Sequence, residues 1–155
     1  MADIVSVGID IGTSTTQVVF SRLTMENAAG YFAVPRVSIV DKQVIYKGQV
    51  HTTPLKSPVL IDGAGVREIV AREYGRAGFR PADVEPGAGI ITGESARKEN
   101  AAAVLSELSG FAGDFVVSTA GPDLESIIAG KGSGAWRCSL EEDCVAVNLD
   151  IGGGT

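Results

Sequence analysis

An eight-residue segment near the start of the chain is repeated near its end. Residues 145–152, VAVNLDIG, align with residues 5–12, VSVGIDIG, and five of the eight positions are identical. Each copy is an apolar, β-rich run that ends at a carboxylate, Asp10 or Asp150, and is followed by residues that favour a sharp turn. The sequence therefore predicts two equivalent strand-then-turn units, the second of which begins a duplicate of the first.

Both predicted turns have the composition of phosphate-binding loops. Glycine lets the backbone approach an anion closely, and hydroxyl side chains add neutral donors. An aspartate favours a nearby phosphate only when a cation lies between them, and Mg²⁺ binds one or two carboxylates together with phosphate oxygens. We therefore expect Asp10 and Asp150 at a Mg²⁺ site, with phosphate contacts from Gly12, Thr13, Ser14, Thr15, Thr16, Gly152, Gly153, Gly154 and Thr155. An ordinary hairpin turn is the alternative for either copy alone.

Composition narrows the class of protein. A chain of 155 residues with a net charge of −6 is long enough for one domain and has no basic cluster, so we expect no nucleic-acid partner. No apolar run approaches the roughly 20 residues that span a bilayer, and the first residues lack a signal-peptide pattern, which predicts a cytoplasmic protein with no membrane partner. Cys138 and Cys144 have no CxxC spacing, so we expect reduced thiols. Both cysteines and Trp136 are expected to be packing residues.

The order of predicted elements indicates an α/β fold. Three antiparallel strands are followed by two helix-strand crossovers, which give parallel pairing. This is the topology of a ribonuclease-H-like domain with a mixed five-stranded sheet and helices on its faces. Residues 36–61 are predicted to be a hairpin or insertion. The predicted strands cover residues 4–11, 17–21, 31–34, 88–92 and 115–120, with a last one from 145, and the predicted helices cover residues 66–77, 95–110 and 124–129.

Three further features have weaker chemical interpretations. Gly93 and Glu94 follow a predicted strand, so Glu94 could orient a water or a hydrated metal, although the stronger interpretation is that Ser95 caps a helix and Glu94 lies near its positive end. His51 has no second histidine with which to form a metal site and is expected on the surface or in a loop. The charged helix face is expected to be solvated, with a partner surface as the minority interpretation; it carries Arg67, Glu68, Arg72 and Arg76.

The paired motifs resemble the two phosphate motifs of the ATPase superfamily that contains actin, hexokinase and the heat-shock chaperones. Three further stretches are 6–13 (SVGIDIGT), 90–96 (IITGESA) and 114–126 (DFVVSTAGPDLES). On these residues the chain, within that superfamily, most closely resembles the reactivating factors of ethanolamine ammonia-lyase. The similarity extends over nearly the whole chain, but only the two phosphate motifs are specific to the superfamily.

The resemblance implies an actin-like ATPase that uses ATP and Mg²⁺ to release damaged cobalamin from an inactivated, adenosylcobalamin-dependent ethanolamine ammonia-lyase. Asp10 would hold hydrated Mg²⁺ and Asp150 would serve the metal or the attacking water. On this basis residues 1–144 form domain I and residues 145–155 begin a truncated second domain, so the chain is expected to be a fragment that is inactive alone. A homodimer and an association with a bacterial microcompartment are left open.

Two other functions share the same phosphate motifs. A small-molecule kinase of this superfamily would also use Asp10 and both turns, but it would need an acceptor pocket and a catalytic base that the sequence does not reveal. An actin-like scaffold or filament protein is the third alternative. We also expect the apolar residues of 145–155 to pack against the domain or in a dimer contact, because burying a Val or Leu stabilises by about 1.5 to 3 kcal/mol.

Overall fold

The structure is a computed structural model that describes residues 2–27, 37–119 and 121–151. The strands of its main sheet are β1 (Ala2–Ile11), β2 (Thr15–Asn27), β3 (Val37–Lys47), β4 (His51–Thr52), β7 (Pro86–Ile91) and β8 (Asp114–Thr119). In the described residues, the five longer strands lie in the order β3-β2-β1-β7-β8, and the short strand β4 pairs with β2. Between β4 and β7 in the sequence, β5 (Leu55–Ser57) and β6 (Leu60–Ile61) form a separate small hairpin.

The sheet is mixed, as the sequence predicted. β1, β2 and β3 pair antiparallel, whereas β7 pairs parallel to β1 and β8 pairs parallel to β7. The parallel strands are reached through helical crossovers that contain α1 (Gly63–Ala77) and α2 (Ala101–Leu108). Two further helices, α3 (Pro122–Gly132) and α4 (Ala135–Glu141), follow β8 and contact each other.

One face of the sheet forms the core. In β1 the apolar residues alternate, so that Val7, Ile9 and Ile11 are buried while Gly8 and Asp10 are exposed on the other face. The buried face packs against α1 and α2. The cluster comprises Val7, Ile9, Ile11, Val18, Phe20, Ile61, Val66, Val70, Tyr74, Val84, Ile91, Ala101, Val104, Leu105, Leu108 and Ala112. Helix α1 ends at Gly78, which adopts the left-handed conformation that its position after the predicted helix suggested.

The structure corrects several predicted elements. The third strand is β3, which lies within residues 36–61, the segment predicted to be a hairpin or insertion; the strand predicted at 31–34 lies outside the described residues. The helix predicted at 95–110 is divided into a 3₁₀ turn, Gly93–Arg97, and α2, because the chain between them is extended at Lys98. Helix α4 begins after Gly134, which has a positive φ, in a region for which no helix was predicted.

The segment after α4 also differs from its prediction. Residues 145–151 form no strand, and none of the strands in the described part of the chain pairs with them. Val145 and Ile151 are 94% and 91% exposed, so the packing expected for this segment within the chain was wrong. Trp136, Cys138 and Cys144 were expected to be packing residues, but all three are exposed. Within the described ranges, no helix combines the length and apolar character needed to cross a bilayer.

Candidate functional site

Strands β1 and β7 end side by side at one edge of the sheet. They are parallel, with Asp10 opposite Ile90 and Ile11 opposite Ile91, and the N–H of Thr92 donates to the carbonyl of Ile11 at 3.1 Å. The first turn, residues 12–15, follows β1, and the β7 turn, residues 92–95, follows β7. Because the carboxyl ends of parallel strands share an edge, the two turns meet there, where open α/β sheets gather their ligands. The sequence prediction for the position of residues 93–95 is confirmed.

The first turn is a tight hairpin connection. The N–H of Gly12 donates to the carbonyl of Thr15 at 2.8 Å, and a Cβ at position 12 would lie only 3.0 Å from that same oxygen. Thr13 and Ser14 are half-buried and Thr15 is exposed, so these three line an accessible turn. The backbone is thus held in a form that a larger residue at position 12 would disturb.

Thr16 has a different environment from the rest of the predicted phosphate-binding residues. It is fully buried, and its hydroxyl shares a 3.0 Å hydrogen bond with the hydroxyl of Thr53. Thr53 in turn donates from its hydroxyl to the carbonyl of Gly12 at 2.9 Å and from its N–H to the carbonyl of Ser14 at 2.9 Å. This geometry leaves Thr16 no accessible surface for a ligand and makes it part of the support beneath the turn.

The β7 turn is hydrogen-bonded to the first turn. The N–H of Glu94 donates to the Thr13 hydroxyl at 2.9 Å, and the Ser95 hydroxyl donates to the carbonyl of Gly12 at 3.0 Å. Gly93 has a φ of +58°, and a Cβ there would collide with the Thr13 hydroxyl. Only glycine therefore fits this approach.

The role predicted for Ser95 is corrected by these bonds. Its side chain is fully buried and makes no helix cap, because it reaches the first turn instead. The carboxylate of Glu94 is bonded to Arg97 at 2.9 Å, and both side chains are largely exposed. Glu94 therefore contributes its backbone to the site, whereas its use in orienting a water or a metal stays a prediction.

Asp10 lies beside both turns and close to other acidic groups. The Thr92 hydroxyl donates to its carboxylate at 3.5 Å. The surrounding protein limits hydration of the carboxyl and so raises its pKa; the Thr92 bond opposes this effect, and the carboxylates of Glu125 and Asp150 raise the pKa further. Excess negative charge is thus concentrated at this edge of the sheet. A divalent cation would relieve the repulsion.

The donor set fits a hydrated Mg²⁺ ion better than a fully protein-coordinated one. Among the residues that the structure describes, no group of three acidic, histidine or cysteine side chains could surround a metal. Mg²⁺ retains several waters and needs only one or two carboxylates together with phosphate oxygens, so Asp10 would be sufficient on this side. Asp150 is exposed and affects the Asp10 pKa, while residues 152–155 of the predicted second turn lie outside the described residues.

Sequence reasoning missed one buried cluster behind the site. Glu73 of α1 is inaccessible to solvent, and its carboxylate bonds the side chains of Tyr46, His51 and Arg76. The expected surface or loop position of His51 is thus corrected: it lies in β4, with its side chain 15% exposed. A signal was present, since position 73 follows Val66, Ile69 and Val70 at the helical spacing of buried residues.

A protein-family model described as "Ethanolamine utilisation protein EutA" matches residues 2–155. The chain belongs to this family. The ethanolamine ammonia-lyase reactivase EutA of Escherichia coli (strain K12) is 45% identical over 152 residues, which are 98% of this chain and 32% of that protein. The EutA reactivase of Salmonella typhimurium (strain LT2) is also 45% identical over 152 residues. The chain therefore spans about a third of the length of the curated EutA relatives that it matches.

A solved structure supports the fold. The Aquifex aeolicus member of the Ppx/GppA family matches with a TM-score of 0.50 and 16% sequence identity, over 87% of this chain and 40% of that one. At this identity the likeness concerns the fold alone. The chain has the predicted α/β fold of the actin-like ATPase type, with a mixed sheet and helices.

Proposed function

We propose that this EutA-family chain forms the first side of the nucleotide cleft in an ATP-dependent reactivating factor for ethanolamine ammonia-lyase. The observation that carries the proposal is the junction of the first turn with the β7 turn beside Asp10, in a chain that is 45% identical to two reactivases over 98% of its length. Two backbone turns with a carboxylate between them supply the donors and the charge that a metal-bound polyphosphate requires.

Each residue of this edge has a distinct task in the proposed cleft. The backbone and hydroxyl groups of Thr13, Ser14 and Thr15 would hold phosphate oxygens, and Asp10 would orient the water shell of Mg²⁺. Gly12 would contribute the shape of the turn, because its N–H already donates to the carbonyl of Thr15. When bound, the ion would offset the negative charge of the phosphates and of the acidic side chains. Asp150 and residues 152–155 would approach the same phosphates from the second side. Thr16, Thr53 and Ser95 would keep the first turn in shape.

The proposed work of the nucleotide is to close the cleft. Ligand bridging between two turns on separate domains favours a closed arrangement over an open one, which is hinge closure. In the reactivating factor this movement would be transmitted to the bound lyase, so that the damaged cobalamin leaves and fresh cofactor enters. We place the protein in the cytoplasm or a microcompartment with its lyase.

The decisive experiment is reactivation of a blocked lyase. Full-length protein, ATP and Mg²⁺ are added to ethanolamine ammonia-lyase that has been inactivated with cyanocobalamin, and turnover with adenosylcobalamin is followed. We expect rescue by the wild type and loss of rescue by Asp10→Ala. The matched control is Asp41→Ala, which removes an exposed carboxylate from edge strand β3 and should leave rescue unchanged.

Other outcomes would contradict separate parts of the proposal. Rescue that survives Asp10→Ala would remove the metal assignment and leave the reactivase assignment intact. No rescue, combined with phosphorylated product from a panel of sugars and short acids, would indicate a kinase. Growth of light scattering after ATP addition would indicate a filament protein. Sedimentation of the full-length protein with and without ATP would show whether it forms a homodimer.

A further inference from the structure

Glu73 is a carboxylate buried on the apolar face of α1, yet both of its oxygens are fully engaged. Oε2 accepts from the Tyr46 hydroxyl at 2.8 Å and from the Gln49 N–H at 3.3 Å. Oε1 bonds Nε2 of His51 at 2.9 Å and accepts from Nη1 of Arg76 at 2.8 Å. Four donors thus meet a group that accepts about four hydrogen bonds, which is the condition under which a buried charge is stable.

Electrostatics favour the ionised form of this carboxylate. Burial alone would raise the pKa of Glu73, but the hydrogen bonds from His51, Tyr46, Arg76 and the Gln49 N–H outweigh it and lower the pKa to about 2. The carboxylate is therefore charged throughout the physiological range and holds all four donors together.

Three of the four donors come from one short stretch of chain, residues 46–51. The stretch approaches the Glu73 carboxylate most closely at Gly48. A Cβ at position 48 would lie 2.7 Å from Glu73 Oε2 and 2.7 Å from the carbonyl oxygen of Val18. The Gly48 N–H donates to that same Val18 carbonyl at 2.8 Å. The stretch is thus clamped between the buried carboxylate and strand β2.

The clamped stretch continues directly into the support of the first turn. His51 pairs with Thr16 across β4 and β2. Two residues later, Thr53 bonds the carbonyls of Ser14 and Gly12 and the hydroxyl of Thr16. A continuous path of hydrogen bonds and backbone therefore runs from the Glu73 carboxylate to the turn.

We propose that Glu73 is a positioning residue for the phosphate-binding turn: its carboxylate fixes residues 46–51, and Thr53 transfers that constraint to residues 12–16. The expected effect on nucleotide binding rests on the proposed function, whereas the effect on the conformation of residues 12–16 rests on the contacts alone. Glu73 touches no ligand in this scheme. Its carboxylate accepts hydrogen bonds from residues of three elements, β3, β4 and α1, and so holds them together next to the turn.

The test compares amide hydrogen exchange at residues 12–16 in variants of the chain. Glu73→Gln keeps the shape but presents an amide N–H₂ to two donors, so we expect exchange in the turn to accelerate by about tenfold. Thr53→Val should give a similar acceleration. If Glu73 acts through Thr53, the double variant should exchange no faster than Thr53→Val alone, because effects along one path are not additive.

The matched control is Val84→Ala, which opens the core two residues before β7 begins, at the end of that strand opposite to the site. It should lower the unfolding midpoint while leaving exchange in residues 12–16 unchanged under native conditions. The inference is overturned if Val84→Ala accelerates exchange in residues 12–16 as much as Glu73→Gln does. It is also overturned if Glu73→Gln folds and exchange in these residues does not accelerate. If Glu73→Gln does not fold, Tyr46→Phe removes one donor and should accelerate exchange by about threefold; no acceleration there is equally decisive against it.

Nucleotide binding separates this inference from the proposed function. In the full-length protein, we expect Glu73→Gln to raise the Kd for Mg²⁺·ATP by about tenfold and Val84→Ala to leave it unchanged. If the wild type binds no Mg²⁺·ATP, the proposed function fails, while the exchange data still decide the mechanical link. If the wild type binds and Glu73→Gln binds equally well, the positioning role fails and the proposed function stands.

Discussion

The main-chain N–H of Glu94 donates a 2.9 Å hydrogen bond to the side-chain hydroxyl of Thr13, a residue 81 positions earlier in the chain. This bond joins the ends of two parallel strands, β1 and β7, into one edge. It also uses Glu94 through its backbone, so the bond does not depend on the identity of that side chain. The shape of the candidate site is thereby set by two turns at once.

Gly93→Ala should destabilise the chain by about 1–3 kcal/mol. The new methyl group would have to adopt a φ of +58° and would collide with the Thr13 hydroxyl. Urea unfolding followed by circular dichroism measures the effect. Gly110→Ala is the control, because no atom lies within 4 Å of a Cβ at that position, and we expect a change within about 0.5 kcal/mol. Equal effects of the two substitutions would contradict the account of the β7 turn.

Ser95→Ala should cost about 1 kcal/mol through the lost hydrogen bond to Gly12 and should not reduce helix content. If Ser95 were a helix cap, the far-UV helix signal would fall as well. Exchange of the amides in residues 12–16 is expected to rise, since one of the two side-chain donors to the Gly12 carbonyl is removed. Ser106→Ala, on the exposed side of α2, is the control. It should alter neither the far-UV helix signal nor amide exchange in residues 12–16.

Asp10→Asn should stabilise the ligand-free chain slightly at pH 7. The folded-state pKa of Asp10 is raised, so the charged carboxyl opposes folding above that pKa, and stability falls as pH rises from the unfolded value, 3.8, through the folded one. Because the group is exposed and screened, we expect a gain below about 1 kcal/mol and a flatter pH dependence in urea unfolding. A loss of stability at pH 7 would contradict the raised pKa of Asp10.

Glu73 should make the chain sensitive to acid. Its pKa is lowered from 4.5 to about 2 in the folded state, so the stabilisation is complete above about pH 5 and is lost as pH falls towards 2. The side chains that face it are those of Tyr46, His51 and Arg76. Thermal unfolding between pH 6 and pH 2 should decline more steeply in the wild type than in Glu73→Gln. Parallel curves would refute this assignment.

The topology could be predicted from the sequence because it depends on local patterns. Alternating or continuous apolar runs mark β1, β2 and β7, and Gly78 ends α1 where the helical spacing stops. The first turn and the β7 turn could be placed at one edge, since helix-strand crossovers align strand ends. Those features depend on neighbours in sequence and on handedness rules rather than on detailed packing.

The remaining features depend on partners that are distant in sequence. Ser95 looked like a helix cap because the residues after it favour a helix, whereas its actual acceptor is Gly12, 83 positions away. Glu73 was not singled out because its donors Tyr46 and His51 lie 27 and 22 positions away, in β3 and β4. β3 was misplaced because two β-prone stretches compete, and the run from Val145 forms no strand because a strand requires a hydrogen-bonding neighbour.

The missing side chain at Gly48 determines how closely helix α1 approaches the sheet. The backbone there fills the entire gap between a strand carbonyl and the buried carboxylate of Glu73. Even one added methyl group would push α1 and the sheet apart and displace the stretch that supports the first turn. Position 48 therefore sets the spacing of the two layers, although it lies outside both turns of the candidate site.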